Sequence, residues 1–210
     1  MKIAIIGTGA VGVAIARGLQ KTSHEVVMGT RRPDAEDVLA LCRETGAKAD
    51  LPRLAADAAE MIVIALPFHA AEAAVRDLGS QSGKIVIDCM NPLGMVDGSL
   101  QLTLGHSTSG GEILQSWLPD TRVVKALNQV GAEIMAENDG LPHRPVQFMA
   151  GDDEKAKSSV AAVLGEMGFD AHDAGDLSKA RILEPFAMVW INQALFQGKG
   201  RTWAFAAVDA

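Results

Sequence analysis

The chain has 210 residues, 48% of them apolar and 21% charged, which is room for one full α/β domain and a small appendage but not for two standard domains. Such proportions exclude disorder, collagen and coiled coil, and the net charge of −7 makes nucleic acid and anionic lipid poor partners. The longest apolar run, eight residues from Met61 to Phe68, falls well short of the ~20 that a membrane-crossing helix needs. Two cysteines, Cys42 and Cys89, make neither a disulfide framework nor a Cys-x-x-Cys metal pattern, so a reducing cytoplasm is the expected setting and no metal site is expected.

In chain order, Lys2–Ile6 (KIAII) reads as a strand that stops at a glycine, followed by a helix from Val11 to Leu19. His24–Met28 is the next strand, and residues 34–44 form a helix with Pro33 at its start and Gly46 at its end. Met61–Ala65 is wholly apolar, as a strand covered on both faces is. An Ala-rich helix over 69–78 leads to the strand Lys84–Asp88. Residues 89–108 hold glycines, a proline and no clear period, and are read as loop. Ser109 caps a helix to about Leu118. Strands follow at Arg122–Ala126 and Val146–Met149, then a helix over 153–167 and a last strand at Phe169–His172. A long apolar helical stretch runs from Leu177 to Gln197, and Pro185 is expected to kink it or mark its true start.

Strands alternating with helices predict a doubly wound parallel sheet covered on both faces, an α/β nucleotide-binding fold of the Rossmann type. The expected division is a binding domain over 1–175 and a small C-terminal helical lobe over 176–210. Leu183, Phe186, Val189, Trp190 and Phe196 recur at helical spacing while the opposite side is also apolar. A homodimer contact and a cleft wall are both expected there.

The chemistry starts at Gly7–Thr8–Gly9–Ala10–Val11–Gly12, a G-x-G-x-x-G that directly follows a strand and opens a helix. In that context Gly7 makes the tight turn, Gly9 lets backbone approach a pyrophosphate, and Gly12 lets helix pack close on strand. An NAD site places Asp or Glu at the end of the second strand to hold the ribose hydroxyls. This chain has Gly29, then Thr30, Arg31 and Arg32, a hydroxyl and two guanidinium groups suited to a 2′-phosphate. NADP is therefore the expected dinucleotide.

Leu66, Pro67 and Phe68 follow another strand at the same edge and are candidates to border the nicotinamide ribose, and His69 beside them is read as a solvated loop residue. Asn91 is a candidate on the nicotinamide side, although turn chemistry accounts equally well for Asn-Pro. Asp88 is read as a turn cap. Lys125 is expected to point to a carboxylate or to solvent.

KIAIIGTGAVGVAIARGL, VVMGTRRP, VVKALNQVGAEIM and DAGDLSKARILEPF together resemble the NADP oxidoreductases of the deazaflavin (coenzyme F-420) dependent family. The cytoplasmic domain of STEAP-type metalloreductases is related to that group. The resemblance covers almost the whole chain in order and spacing. It implies a nucleotide-binding domain with a small C-terminal lobe, nicotinamide in the cleft between them, and a flavin-like partner stacked on it. It further implies that Thr8, Ala10 and Val11 lie on the pyrophosphate turn and that Thr30, Arg31 and Arg32 form the 2′-phosphate pocket. Leu66, Pro67 and Phe68 map beside the nicotinamide, and Asn128 maps onto the cleft.

Hydride transfer between nicotinamide and a flavin-type ring asks for stacking, orientation and exclusion of water, so no catalytic acid or base is expected. The expected acceptor is a small redox molecule: deazaflavin coenzyme F-420, FMN or FAD. Two alternatives stay open. One is an NADPH-dependent reductase of a small carbonyl or imine, which wants a proton donor such as Lys125 or His69. The other is a non-catalytic NADP sensor. Lys199 and Arg201 in the tail offer positive charge for an acidic acceptor.

Overall fold

The computed structural model describes residues 1–208. Ten strands and eight helices follow one another: β1 Lys2–Ile6, α1 Ala10–Leu19, β2 Glu25–Gly29, α2 Glu36–Thr45, β3 Lys48–Asp50, α3 Pro52–Ala58, β4 Met61–Ile64, α4 Phe68–Arg76, β5 Ile85–Asp88, β6 Leu93–Val96, β7 Ser99–Leu102, α5 Gly110–Trp117, β8 Arg122–Lys125, α6 Ala132–Ala136, β9 Val146–Gly151, α7 Glu154–Glu166, β10 Asp170–Asp173 and α8 Ala180–Leu195.

Eight strands form one sheet in the order β10-β9-β8-β5-β4-β1-β2-β3. From β1 the chain winds outward to β2 and β3, then returns to add β4 on the other side, so the order reverses between β1 and β4. Ligands of open α/β sheets sit outside the carboxyl ends of the strands at such a reversal. The sheet is mostly, not wholly, parallel. β9 runs antiparallel to β8, with Val124 opposite Gly151 and Lys125 opposite Ala150, and β10 then lies parallel to β9.

The alternation of side chains along a strand builds two cores. On β1, Ile3 and Ile5 enter the layer beneath α1, α6 and α7, while Ala4 and Ile6 enter the layer beneath α3, α4 and α5. All four are at most 2% exposed, which is why KIAII carries no polar residue after its first position.

Three parts of the sequence reading are corrected. The stretch 89–108 is not only loop but holds the antiparallel hairpin β6–β7, joined at Asp97–Gly98, both with positive φ. The interval 46–60 adds a third parallel strand and a helix that starts on Pro52. The late helix starts at Ala180, after a short 3-10 turn at Leu177–Lys179, and runs through Pro185 rather than from it. α8 packs on α5, β7 and β9, and the tail returns to the sheet where the Val146 N–H donates to the Phe205 carbonyl.

Candidate functional site

The turn after β1 is shaped by sterics. A Cβ at Gly7 (φ +120°) would run into the Ala65 carbonyl oxygen at the end of β4, and one at Gly12 would run into the carbonyl of Gly7. Gly9 differs: its φ is −78° and a Cβ there meets nothing within 4 Å. Two glycines let the turn close, and the third keeps its outer face bare. α1 opens at Ala10 with no side-chain cap and no acid in its first turn. Its first N–H groups and the positive end of its dipole therefore face outward unopposed.

A cleft of about 830 Å³ runs from this turn, between the ends of β1 and β2 and along α4. That is the size of a small-molecule or cofactor site. Gly7, Thr8, Thr30, Arg31, Arg32, Leu66 and Pro67 all line it, with Pro52 and the small Ala70, Ala73 and Ala74 forming its wall. The carboxylate in the lining is Asp77, just past the C-terminal end of α4. Arg32 reaches Asp37 at 3.5 Å across an exposed surface, whereas Arg31 pairs with no carboxylate among the described residues. The Thr30 hydroxyl accepts from the Arg32 N–H at 3.4 Å, which holds the two residues in one turn.

The remaining expected residues are placed differently. Ala10 and Val11 sit on the first turn of α1 beside the cleft. Phe68 turns away to α5, stacking on Trp117 at 5.7 Å and touching Gly110. Asn91 and Asn128 follow β5 and β8 and bind each other. The Asn91 amide donates to the Asn128 carbonyl at 2.8 Å, and the Asn128 amide donates to Asn91 Oδ1 at 3.0 Å and to the Leu183 carbonyl of α8 at 3.2 Å. Gln129 donates in turn to Asn128 Oδ1 at 2.8 Å. The buried Asn128 amide thus ties two strand-end turns to α8 with every polar atom engaged.

Beneath that pair lies a cluster that sequence reasoning saw only in part. Lys125 does not reach solvent: its side chain is 0% exposed, 3.0 Å from Asp88 Oδ2 and 2.8 Å from Glu184 Oε1, and it also donates to the Met90 carbonyl. Burial alone would lower the lysine pKa, but Asp88 and Glu184 outweigh it and hold the ammonium above its ordinary value. Asp88 does cap its turn, accepting from the Met90 N–H at 2.9 Å, and so has two roles. Cys89, next along, is buried, donates to the Ile64 carbonyl, and has its thiol pushed up to about 12 by burial. It is a packed thiol rather than a nucleophile.

In the tail, Lys199 lies 4.2 Å from the centre of the Trp203 ring and Arg201 pairs with Glu133 at 2.7 Å. Both cations are engaged within the protein. Trp190 packs on Gly131 and donates to the Trp203 carbonyl at 2.9 Å. Among the described residues no group of three or more His, Cys, Asp or Glu is placed to hold a metal, and no helix is long and apolar enough to cross a membrane.

Residues 2–92 match the model of the family NADP oxidoreductase, coenzyme F420-dependent. The chain is 30% identical over 184 residues to metalloreductase STEAP3 of Rattus norvegicus, covering 87% of this chain but only 36% of that protein, so it spans about a third of that curated relative. A crystal structure from Arthrobacter sp. FB24, provisionally assigned as an F420-dependent NADP reductase, is 32% identical with a TM-score of 0.89 and full coverage of both chains. An imine reductase from Aspergillus terreus shares the fold at a TM-score of 0.65 and 20% identity, over 94% of this chain and 63% of that one. The strand reversal, the glycine turn and the arginine-lined cleft agree with these likenesses, and the chain belongs to the coenzyme F420-dependent NADP oxidoreductase family.

Proposed function

We propose that this protein moves a hydride between NADP(H), held at the reversal between β1 and β4, and a planar acceptor of the flavin or deazaflavin type. NADP supplies a nicotinamide ring that donates or accepts two electrons and a proton as hydride. The chain's residues fit that nucleotide: the bare Gly9 face admits a pyrophosphate, the first N–H groups of α1 receive its charge, and Thr30, Arg31 and Arg32 suit a 2′-phosphate. Leu66 and Pro67 border the ribose on the nicotinamide side, and Asn91 and Asn128 hold the turns above which that ring lies. Residues 176–208 act as the lobe that closes over it, and the last two positions of the expected 176–210 lobe lie outside the described residues.

The observation that carries the acceptor class is the state of Lys125. A carbonyl or imine substrate needs a proton donor at the strand ends. The cation nearest that position is sealed from solvent, with its ammonium shared among Asp88, Glu184 and the Met90 carbonyl. Around the sealed lysine lies a neutral amide pair, and the exposed His69 on the first turn of α4 is the donor left to the carbonyl or imine alternative. A stacked ring takes hydride without side-chain acid catalysis. Two free cysteines support a reducing compartment such as the cytoplasm. The exposed Ile182 and Val189 of α8 and Phe196 just past its end support a homodimer, which light scattering would test.

The experiment is NADPH oxidation followed by stopped flow against FMN, FAD, riboflavin and a deazaflavin. Turnover with at least one is expected. Tight NADP binding with no turnover of any planar acceptor would favour a nucleotide sensor, and turnover confined to imines or carbonyls would favour the reductase alternative.

A further inference from the structure

The Asp88–Lys125–Glu184 cluster is unusual in its charge balance. Each carboxylate oxygen accepts from an N–H group. Asp88 Oδ1 takes the Met90 N–H and Oδ2 takes Lys125, while Glu184 Oε1 takes Lys125 and the Gly111 N–H, and Oε2 takes the Gly110 N–H at 3.0 Å. The lysine has three protons and three acceptors. Every partner of the two acids is an N–H group, and the formal charges of the three side chains sum to −1. All three side chains are at most 1% exposed. The N-terminus of α5 offsets about half a charge. Among the described residues, Lys125 is the one cation ion-paired with Asp88 and Glu184, and Arg181 on α8 is paired with Glu112 instead.

A buried net charge is costly, and hydrophobic replacements hold helices to sheets without it. Its location suggests a use. Asp88 ends β5 and Lys125 ends β8, in register as neighbours, and the next residues in each turn lead to Asn91 and Asn128. Glu184 follows Leu183, whose carbonyl holds the Asn128 amide.

We infer that this cluster favours the oxidised, positively charged nicotinamide over the reduced, neutral one, and so favours hydride leaving NADPH for the acceptor. The inference rests on the proposed placement of nicotinamide at this edge. Giving up a hydride adds one positive charge to the ring, while the flavin-type acceptor takes the hydride and then a proton from water. A net negative charge nearby stabilises only the oxidised member. By Coulomb's law at an effective dielectric of about 20, any unit charge within about 10 Å of a ring that gains a positive charge shifts that equilibrium on the order of tenfold or more.

Asp88→Asn and Glu184→Gln each remove one negative charge from the cluster. The test measures dissociation constants of NADP+ and NADPH for both variants by calorimetry, with circular dichroism to confirm folding. Each variant is expected to raise the ratio Kd(NADP+)/Kd(NADPH) on the order of tenfold, through weaker NADP+ binding. Leu183→Ala loosens the same helix without changing charge and is expected to leave the ratio alone even where both affinities fall. An unchanged ratio in the folded charge variants, or an equal shift in Leu183→Ala, would overturn the inference. The wild-type chain gives a check that needs no variant: NADP+ bound at least as tightly as NADPH is expected, and NADPH held tenfold or more tightly overturns it. A wild-type chain that binds neither nucleotide overturns the site placement as well.

Discussion

Replacing Gly9 by valine separates ligand recognition from folding. The backbone there has an ordinary negative φ, and a Cβ meets nothing within 4 Å, so the protein has room for the side chain. Valine is a poorer N-cap than glycine, a cost of up to about 1 kcal/mol, or a melting shift of roughly 2–4 °C for a chain of this size. Ligand binding is affected far more. A pyrophosphate held off the first turn of α1 loses charge-assisted bonds of about 1.5–3 kcal/mol each. Losing two of them weakens NADP+ on the order of a hundredfold to ten-thousandfold. Calorimetry on a variant whose melting curve stays within a few degrees of wild type reads this directly. A folded Gly9→Val chain that binds NADP+ with unchanged affinity would refute the placement of the pyrophosphate. Gly7→Val and Gly12→Val are not substitutes for this test, because each drives a side chain into backbone and harms the fold itself.

Arg31→Ala is expected to weaken NADP+ by roughly ten- to a hundredfold while leaving NAD+ nearly unchanged, and equal weakening of both by calorimetry would mean the 2′-phosphate lies elsewhere. Lys125→Met leaves two buried carboxylates facing each other without a cation, a loss of about 3–5 kcal/mol that a denaturant titration would register. Ser109→Ala removes the oxygen that accepts the Glu112 N–H at 3.2 Å and is expected to cost about 1 kcal/mol in the same measurement. The hydrogen bond from Arg181 holds the Glu112 carboxyl below its ordinary 4.5, so its contribution is complete above about that pH and disappears as pH falls through the lowered value. Arg181→Met should therefore melt below wild type at pH 7, with the gap narrowing as pH falls below 4.5, whereas a gap that does not change with pH would assign the difference to packing.

The apolar runs KIAII, MIVIA and KIVID were legible as strands because strands covered on both faces need no polar alternation. The glycine turn was legible because steric demands at Gly7 and Gly12 are local. The β6–β7 hairpin was not read, although Asp97–Gly98 is a hairpin turn pair, because Met95 and Val96 are exposed and no buried face imposes a pattern. Pro52 was the available signal for α3, and three residues of β3 were too few to show a period. At the site, Thr30, Arg31 and Arg32 were readable from their place after a strand. The partner of Lys125 was half-readable: Asp88 ends the neighbouring strand, but Glu184 arrives from a helix whose docking no local pattern encodes. The same long-range packing turned Phe68 toward Trp117 and paired Asn91 with Asn128, which spacing alone does not reveal.

The most direct test of hydride transfer to a planar acceptor is isotopic. NADPH carrying deuterium at nicotinamide C4, on one face and then on the other, is mixed with the protein and a deazaflavin, whose C5 hydrogen does not exchange with water. The account predicts that deuterium from one face appears at C5 of the reduced deazaflavin by mass spectrometry, with a primary isotope effect on the single-turnover rate. Bound NADPH that transfers no deuterium from either face to that carbon, and that reduces none of FMN, FAD and riboflavin, would contradict it.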